Sequence, residues 1–384
     1  MRSGDDDDMS LTDLRPGTRP ADPAAPATPL GPRQLDPVGL AEVDRLLATR
    51  IAAHCDVLTA VSDELAPMTE ALAAAATGGK RLRAAFCLWG ARGASGAEAA
   101  PGAVEAAAAL ELFHLAALVH DDLMDHSDDR RGRPTVHRAF ADRHLLARGL
   151  GDADDHGAAM AVLAGDLCLT WSDDLLAEAA RRSEAGAAAR AVWSQMRDQV
   201  LAGQYLDVLG QTRATTSLDD VRRVLLHKSA KYTVEHPLLL GGTLGGASAD
   251  LLAGYSALAL DVGEAFQLRD DVIGVFGEPE VTGKPVEDDV REGKRTLLVA
   301  LAVEAASAAQ RDVLDRHLGD PAVDRAGVDA VREVLRSTGA LARVEERIAA
   351  LASSALATVA RLPVDERTRQ ALADLTEACV WRDA

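Results

Sequence analysis

Leu118-Val119-His120-Asp121-Asp122-Leu123-Met124-Asp125 ends an Ala/Leu-rich helical run. On a helix, residues one, three and four apart share a side, so Asp121, Asp122 and Asp125 are expected to point into one small volume. Three carboxylates packed together repel one another unless they are solvated or met by a hard cation. An all-oxygen cluster with no Cys or spaced His pair suits Mg²⁺ better than zinc. Mg²⁺ keeps waters and takes one or two carboxylates plus substrate phosphates, so a phosphorylated ligand is expected. Taken alone, such a triplet is as readily a solvated helix end as a metal site. A second cluster shifts the balance. Phe266-Gln267-Leu268-Arg269-Asp270-Asp271-Val272-Ile273-Gly274 again closes an apolar helical stretch with a carboxylate pair. Two such helices facing each other across a bundle make an acidic mouth for several metals.

The rest of the composition agrees with a bundle. The 384 residues are 48% hydrophobic but only 3% aromatic, so the apolar residues are mostly Ala, Leu and Val, which favours closely packed helices over an aromatic-rich sheet. A net charge of −19 argues against nucleic acid as a partner, because phosphate backbones need Lys/Arg surfaces. Cys55, Cys87, Cys168 and Cys379 stand far apart with no C-x-x-C pair, which disfavours zinc and redox roles and makes a reducing compartment the default. The start carries Asp5 to Asp8 rather than a basic region followed by an apolar run, and no apolar stretch of spanning length lacks an interrupting charge, so a soluble cytoplasmic protein is expected.

Residues 1 to 35, with their Asp run and recurrent prolines, are too poor in apolar surface to order themselves and are expected to be a disordered tail. Asp36-Pro37 then offers an N-cap with Pro at the first helical position, and Leu40, Val43, Leu47 and Ile51 follow at helical spacing. Breaks fall at Gly78-Gly79, Gly93 to Gly102, Gly149 to Gly157, Gln211 to Ser217, Glu278 to Gly283 and Gly319 to Pro321, and no alternating strand pattern of useful length appears. Residues 36–384 read as one all-α domain, a large helical bundle with a central cavity. Within it, Thr77-Gly78-Gly79-Lys80-Arg81-Leu82-Arg83 sets a double Gly before three cations, a backbone able to approach an anion with charge close behind, or a plain turn with solvated cations.

Asp121-Asp122-x-x-Asp125 followed by Arg130-Arg131-Gly132, together with Phe266-Gln267-x-x-Asp270-Asp271, resembles the two aspartate-rich motifs of the trans-isoprenyl diphosphate synthases, the polyprenyl synthetases, with geranylgeranyl diphosphate synthase-like features. The likeness spans the chain from about residue 40 onward, with the motifs in the right order. It implies several Mg²⁺ ions, three per site with Mn²⁺ as a possible substitute, held by Asp121, Asp122, Asp125, Asp270 and Asp271. It implies two substrates, isopentenyl diphosphate (IPP) and an allylic diphosphate, and a homodimer. Thr77 to Arg83 looks like the family's G-G-K-R-x-R motif, which implies that Lys80 and Arg83 grip the IPP diphosphate, with Ala84 where Pro is common. By the same resemblance His114 hydrogen-bonds that diphosphate, Arg130 holds the allylic diphosphate and Arg131 holds IPP, a task suited to guanidinium forks. Gln204 and Asp207 look like pocket residues near the metals, Lys228-Ser229-Ala230 resembles a K-T-A segment aimed at the allylic diphosphate, and Phe266 and Gln267 belong to the substrate wall. Lys284 resembles a diphosphate ligand, and Lys294 either covers the closed site or faces solvent. The chain departs from the pattern at Glu287, where Gly is common, and at Gly274, where many relatives carry a third Asp. Mg²⁺ can keep a water in place of one carboxylate, so activity is expected to survive.

The implied chemistry is ionisation of the allylic diphosphate, attack by the IPP double bond and loss of a proton. Asp121, Asp125 and Asp270 with their metals, and Arg130, Lys228 and Lys284, would stabilise the departing pyrophosphate. The growing tail is expected to run along the first-aspartate helix toward its N-terminus. There Phe113, Ala116 and Ala117 share roughly one face, with room past the farnesyl stage and Phe113 as a floor near geranylgeranyl length. Two other readings remain: a class I terpene cyclase, which has no use for an IPP site, and a non-catalytic subunit of a heteromeric synthase, for which Gly274 is the only encouragement.

Overall fold

The structure, a computed structural model, describes residues 39–96, 100–130, 132–213, 217–277 and 288–382. The expected Asp36-Pro37 cap, Arg131, Lys284 and Glu287 lie outside these residues. Helices α1 (Leu40–Val61), α2 (Ala66–Ala75), α3 (Leu82–Ser95), α4 (Ala103–Met124), α5 (Val136–Leu146), α6 (Ala153–Arg182) and α7 (Gly186–Gln211) form the first half. Then α8 (Leu218–Val224) runs without a break into a π-helical segment (Leu225–Glu235) and α9 (His236–Leu244), and a turn leads to α10 (Ala249–Phe276). Helices Leu297–Ala305, Ala308–His317, Arg325–Ser337, Ala340–Val359 and Glu366–Val380 complete the chain. Local sequence explains the starts. Asp152, Ser217 and Ser248 each accept from a backbone N–H two or three residues on, and Ser307 with Gln310 closes a reciprocal capping box.

The first-aspartate helix α4 is the centre of the bundle. Ala106 to Ala109 are fully buried, and such small side chains let α3 and α6 approach its axis closely. α4 is also the one helix, among the described residues, long and apolar enough to cross a membrane, and 72% of its apolar window is buried inside the bundle. The second-aspartate helix α10 is buttressed by a separate apolar cluster that includes Val331, Leu335, Val344 and Ile348. The only strands among the described residues are Asp129–Arg130 and Arg133–Pro134, a two-residue antiparallel ribbon just after the first aspartates that the sequence pattern does not announce.

The π segment has a geometric purpose. Val221, Leu225, Ser229 and Thr233 line the central cavity, and so do Val224, Lys228 and Tyr232, which is a repeat of four. In an α-helix each four-residue step drifts by ~40°, so three steps would turn the last residue by ~120° off the cavity. The wider π turn keeps the whole row facing inward.

Candidate active site

A cavity of about 770 Å³ opens where α4 and α10 bring their aspartates together. Asp121, Asp270 and Asp271 line it, as do Lys80, Arg83, His114, Ala117, Arg130, Gln204, Lys228, Ser229, Phe266, Gln267, Gly274 and Lys294. These residues come from segments up to 214 positions apart, and the fold gathers them at one mouth with an apolar interior of Leu112, Leu115, Leu118 and Val200 below.

Asp121 is the hub of the first cluster. Its Oδ1 accepts from Gln204 Nε2 at 3.0 Å and from Lys228 Nζ at 3.1 Å. Lys228 also donates to Asp207 Oδ2 at 2.6 Å. Burial alone would raise the Asp121 carboxyl, but Lys228, Lys294 and Arg130 outweigh it and hold the group below the usual carboxylate range. For Lys228 burial works against the charge, and Asp121, Asp207 and Asp125 overcome it, so the ammonium is more firmly protonated than in water. Asp125 is not on the cavity lining but lies behind Asp121 in this cluster, with its side chain 3% exposed. Burial first, and the neighbouring Asp121 second, push its carboxyl up to about 6. Its Oδ1 is buried with no hydrogen-bond donor among the described residues, and Lys294 Nζ stands 3.8 Å from Oδ2. A buried carboxylate oxygen in that state calls for a cation.

One expectation for the metal ligands is corrected. Asp122 is buried and does not line the mouth; Arg130 Nε grips it at 2.8 and 2.9 Å. One residue along a helix is a turn of ~100°, which swings this carboxylate away from Asp121. Asp271 is at the cavity wall, where its Oδ1 accepts from Gln267 Nε2 at 2.8 Å within its own helix. Among the described residues no three metal-ligating side chains converge as a ready-made site. That arrangement, together with the orphaned Asp125 oxygen, fits a hard cation that takes part of its shell from a bound phosphate.

The cationic wall faces these acids. Arg83 donates to Thr233 Oγ1 at 2.9 Å and lies 4.2 Å over the ring of Tyr232, whose hydroxyl is 3.3 Å from His114 Nδ1. Arg382, which sequence reasoning missed, reaches the mouth from beyond the last helix. It forms an ion pair with Asp270 and stacks 3.9 Å over Phe266. The Nε atoms of both Arg83 and Arg382 are buried without an acceptor among the described residues. No sequence signal links Arg382 to Asp270, because the contact spans 112 positions outside any motif.

The expected tail pocket is also corrected in part. Ala117 lines the cavity, whereas Phe113 and Ala116 do not. At ~100° per residue they sit ~80° and ~140° around α4 from Asp121. Ala116 is fully buried, and Phe113 packs edge-on against Trp193 and Tyr232 with ring centroids 5.6 and 5.8 Å apart.

The seam between α7 and the π segment is tight at Gly203, where an added Cβ would lie 2.4 Å from the backbone nitrogen of Lys228. Gly203→Ala is expected to cost ~1–3 kcal/mol of stability and to push Lys228 off Asp121. A melting temperature equal to that of the parent would show that the seam is looser than this.

Comparison with known proteins gives this arrangement a context. Residues 66–335 match the polyprenyl synthetase family. A geranylfarnesyl diphosphate synthase from Aeropyrum pernix is 31% identical over 79% of this chain and 91% of its own length. A nonaprenyl diphosphate synthase from Mycobacterium tuberculosis is 31% identical over 90% of this chain and 92% of its own. Among solved structures, a geranylgeranyl pyrophosphate synthase from Corynebacterium glutamicum, determined with isoprenyl diphosphate and magnesium, superposes with a TM-score of 0.81 at 35% identity, covering 88% of this chain and 98% of that one. A polyprenyl synthase from Caulobacter crescentus, determined with calcium and isoprenyl diphosphate, gives 0.75 at 27% identity over 94% and 100%. With the family match and these relatives beside the acidic mouth, the chain belongs to the polyprenyl synthetase family of trans-prenyltransferases.

Proposed function

We propose that this chain condenses isopentenyl diphosphate with an allylic diphosphate and that its main product is geranylgeranyl diphosphate. The observation that carries the reading is a set of unsatisfied groups at and beside the cavity. Arg83 and Arg382, on its lining, each carry a buried Nε–H without an acceptor among the described residues, and Asp125, beside Asp121 but off the lining, carries a buried oxygen without a donor. Cations held by the aspartates, and a diphosphate laid on the arginines, would satisfy all three. Bound Mg²⁺, several ions to a site, would draw off the negative charge that develops on the leaving pyrophosphate.

The chain's own residues do the rest. Asp121, Asp125 and Asp270 would hold the metals, and Lys228, kept protonated by its acidic neighbours, would meet the developing charge on the leaving group. Arg130 and, from the family likeness, Lys284 serve the allylic diphosphate. Lys80, Arg83, His114 and Arg131 serve IPP. The C–O bond breaks toward pyrophosphate, the IPP double bond attacks the allyl cation, and the adduct releases a proton. Leu112, Leu115, Leu118 and Val200 exclude the water that would quench the cation. Product length beyond farnesyl is supported by the small Ala117 at the cavity wall.

A second copy of the chain would cover the outer faces of α6 and α7, where Val162, Leu163, Leu201 and Tyr205 are exposed. The test of the activity is mass spectrometry of products from labelled IPP with dimethylallyl, geranyl and farnesyl diphosphates in Mg²⁺. Label in geranylgeranyl diphosphate is expected. Hydrocarbon formed without IPP, or no product from any primer, would overturn the reading.

A further inference from the structure

We propose that Glu111 and Arg81 are positioning residues that tie the loop carrying Lys80, and the start of α3 carrying Arg83, to the helix bearing the first aspartates, and so set the affinity for the second diphosphate. The inference rests on the IPP site proposed above. The loop is conformationally expensive. Gly78 and Gly79 have φ of 82° and 100°, and Arg81, which has a Cβ, has φ of 51°. A non-glycine residue persists in that region only when surrounding contacts over-determine it. Moreover, α3 begins right after the loop with no side-chain cap of its own, although its first N–H groups need acceptors.

Glu111 meets both needs at once. It is 7% exposed; its Oε1 accepts from the backbone N–H of Ala84 at 3.1 Å and its Oε2 from Arg81 Nη1 at 3.3 Å. Arg81 uses its other nitrogens for anchorage as well, donating from Nε to Asp44 Oδ1 at 2.9 Å and from Nη2 to the carbonyl of Ala76 at 3.0 Å. The run of three cations therefore divides its labour. Arg81 lines the cavity with Lys80 and Arg83 but is anchored to α1, to the end of α2 and to α4, and that anchorage holds its two neighbours in place. Because Glu111 stands on α4 ten positions before Asp121, the metal end and the second-diphosphate loop share one rigid helix.

The sign of the effect separates this role from plain electrostatics. Glu111 puts a negative charge beside an anion site, so if it acted only through its field, Glu111→Gln would tighten IPP binding. Positioning predicts the opposite. In calorimetric titration of the full-length chain with IPP, Glu111→Gln is expected to raise Kd by about tenfold, the loss of one charge-assisted hydrogen bond. In steady state, KM for IPP should rise with it while KM for the allylic primer stays within about twofold. Arg81→Met, at a site with its side chain 16% exposed, should do the same, and Arg81→Lys should recover part of the loss. The double variant should be no worse than the weaker-binding single, since both cut one link. Parent-like or tighter IPP binding by either single variant, equal rises in both KM values, or additive losses would each overturn the proposal. Should Glu111→Gln not fold, the Arg81 pair decides the matter alone. A parent protein that binds no IPP would bring down the site reading and this inference together, whereas a parent that binds with unaffected variants brings down only the latter.

Discussion

Asp125→Asn is expected to lower turnover by ~10²–10³-fold while making the metal-free protein more stable at neutral pH. The two effects have one origin. In the absence of metal the Asp125 carboxyl is pushed up to about 6 by burial and by Asp121, compared with ~3.9 in an unfolded chain. A group whose folded value is raised favours the folded state when protonated. That contribution is complete below pH ~3.9 and is lost as pH rises through about 6. Asparagine is neutral throughout and does not lose it. Above pH 6 the apo variant should thus exceed the parent by ~2–3 kcal/mol, and the gap should close toward pH 4. Melting curves of chelator-treated protein across this range check the stability half, and turnover at saturating Mg²⁺ checks the other. Unchanged turnover would remove Asp125 from the machinery. An apo variant that melts below the parent would mean that a cationic neighbour already satisfies the carboxylate.

Ala117→Phe is expected to shorten the main product from the proposed geranylgeranyl diphosphate to farnesyl diphosphate. Ala117 stands on the cavity wall one turn before Asp121, where a ring projecting inward takes the volume that a further isoprene unit would need. Ala116 differs although it is adjacent in sequence, because it is fully buried in helix packing. Ala116→Phe should overpack the core at a cost of ~1–3 kcal/mol and register first as a lower melting temperature. Product spectra of the two variants, read beside their melting curves, decide the point. An unchanged product from Ala117→Phe removes that wall as the limit. A stable Ala116→Phe enzyme with a shorter product would place the tail on the far side of α4.

The sequence makes the helical architecture legible because helical spacing and its Gly/Pro breaks are local signals. It also brings out Asp121, Asp270, Lys80, Arg83 and Lys228, which sit in motifs and which the fold gathers at one cavity. Spacing could not tell which carboxylate of an adjacent pair faces inward. That depends on partners such as Arg130, which takes Asp122. Nor could it give work to Arg81, Glu111 or Arg382, whose contacts join helices far apart in the chain. Arg81 was hidden in plain view, one cation among three. Phe113 and Ala116 were drawn to the tail pocket by rough helical phase, and a difference of about a third of a turn was enough to place them in the core instead.

The wide turns between Leu225 and Glu235 make residue count, more than residue identity, the property on which this wall depends. Excising one residue there would let the backbone relax to tighter coiling and rotate every inward-facing group upstream of the cut relative to those downstream. Side-chain exchanges along the row are graded changes in a lining. A single-codon deletion would instead act as a change of register, felt at Lys228 and Thr233 together.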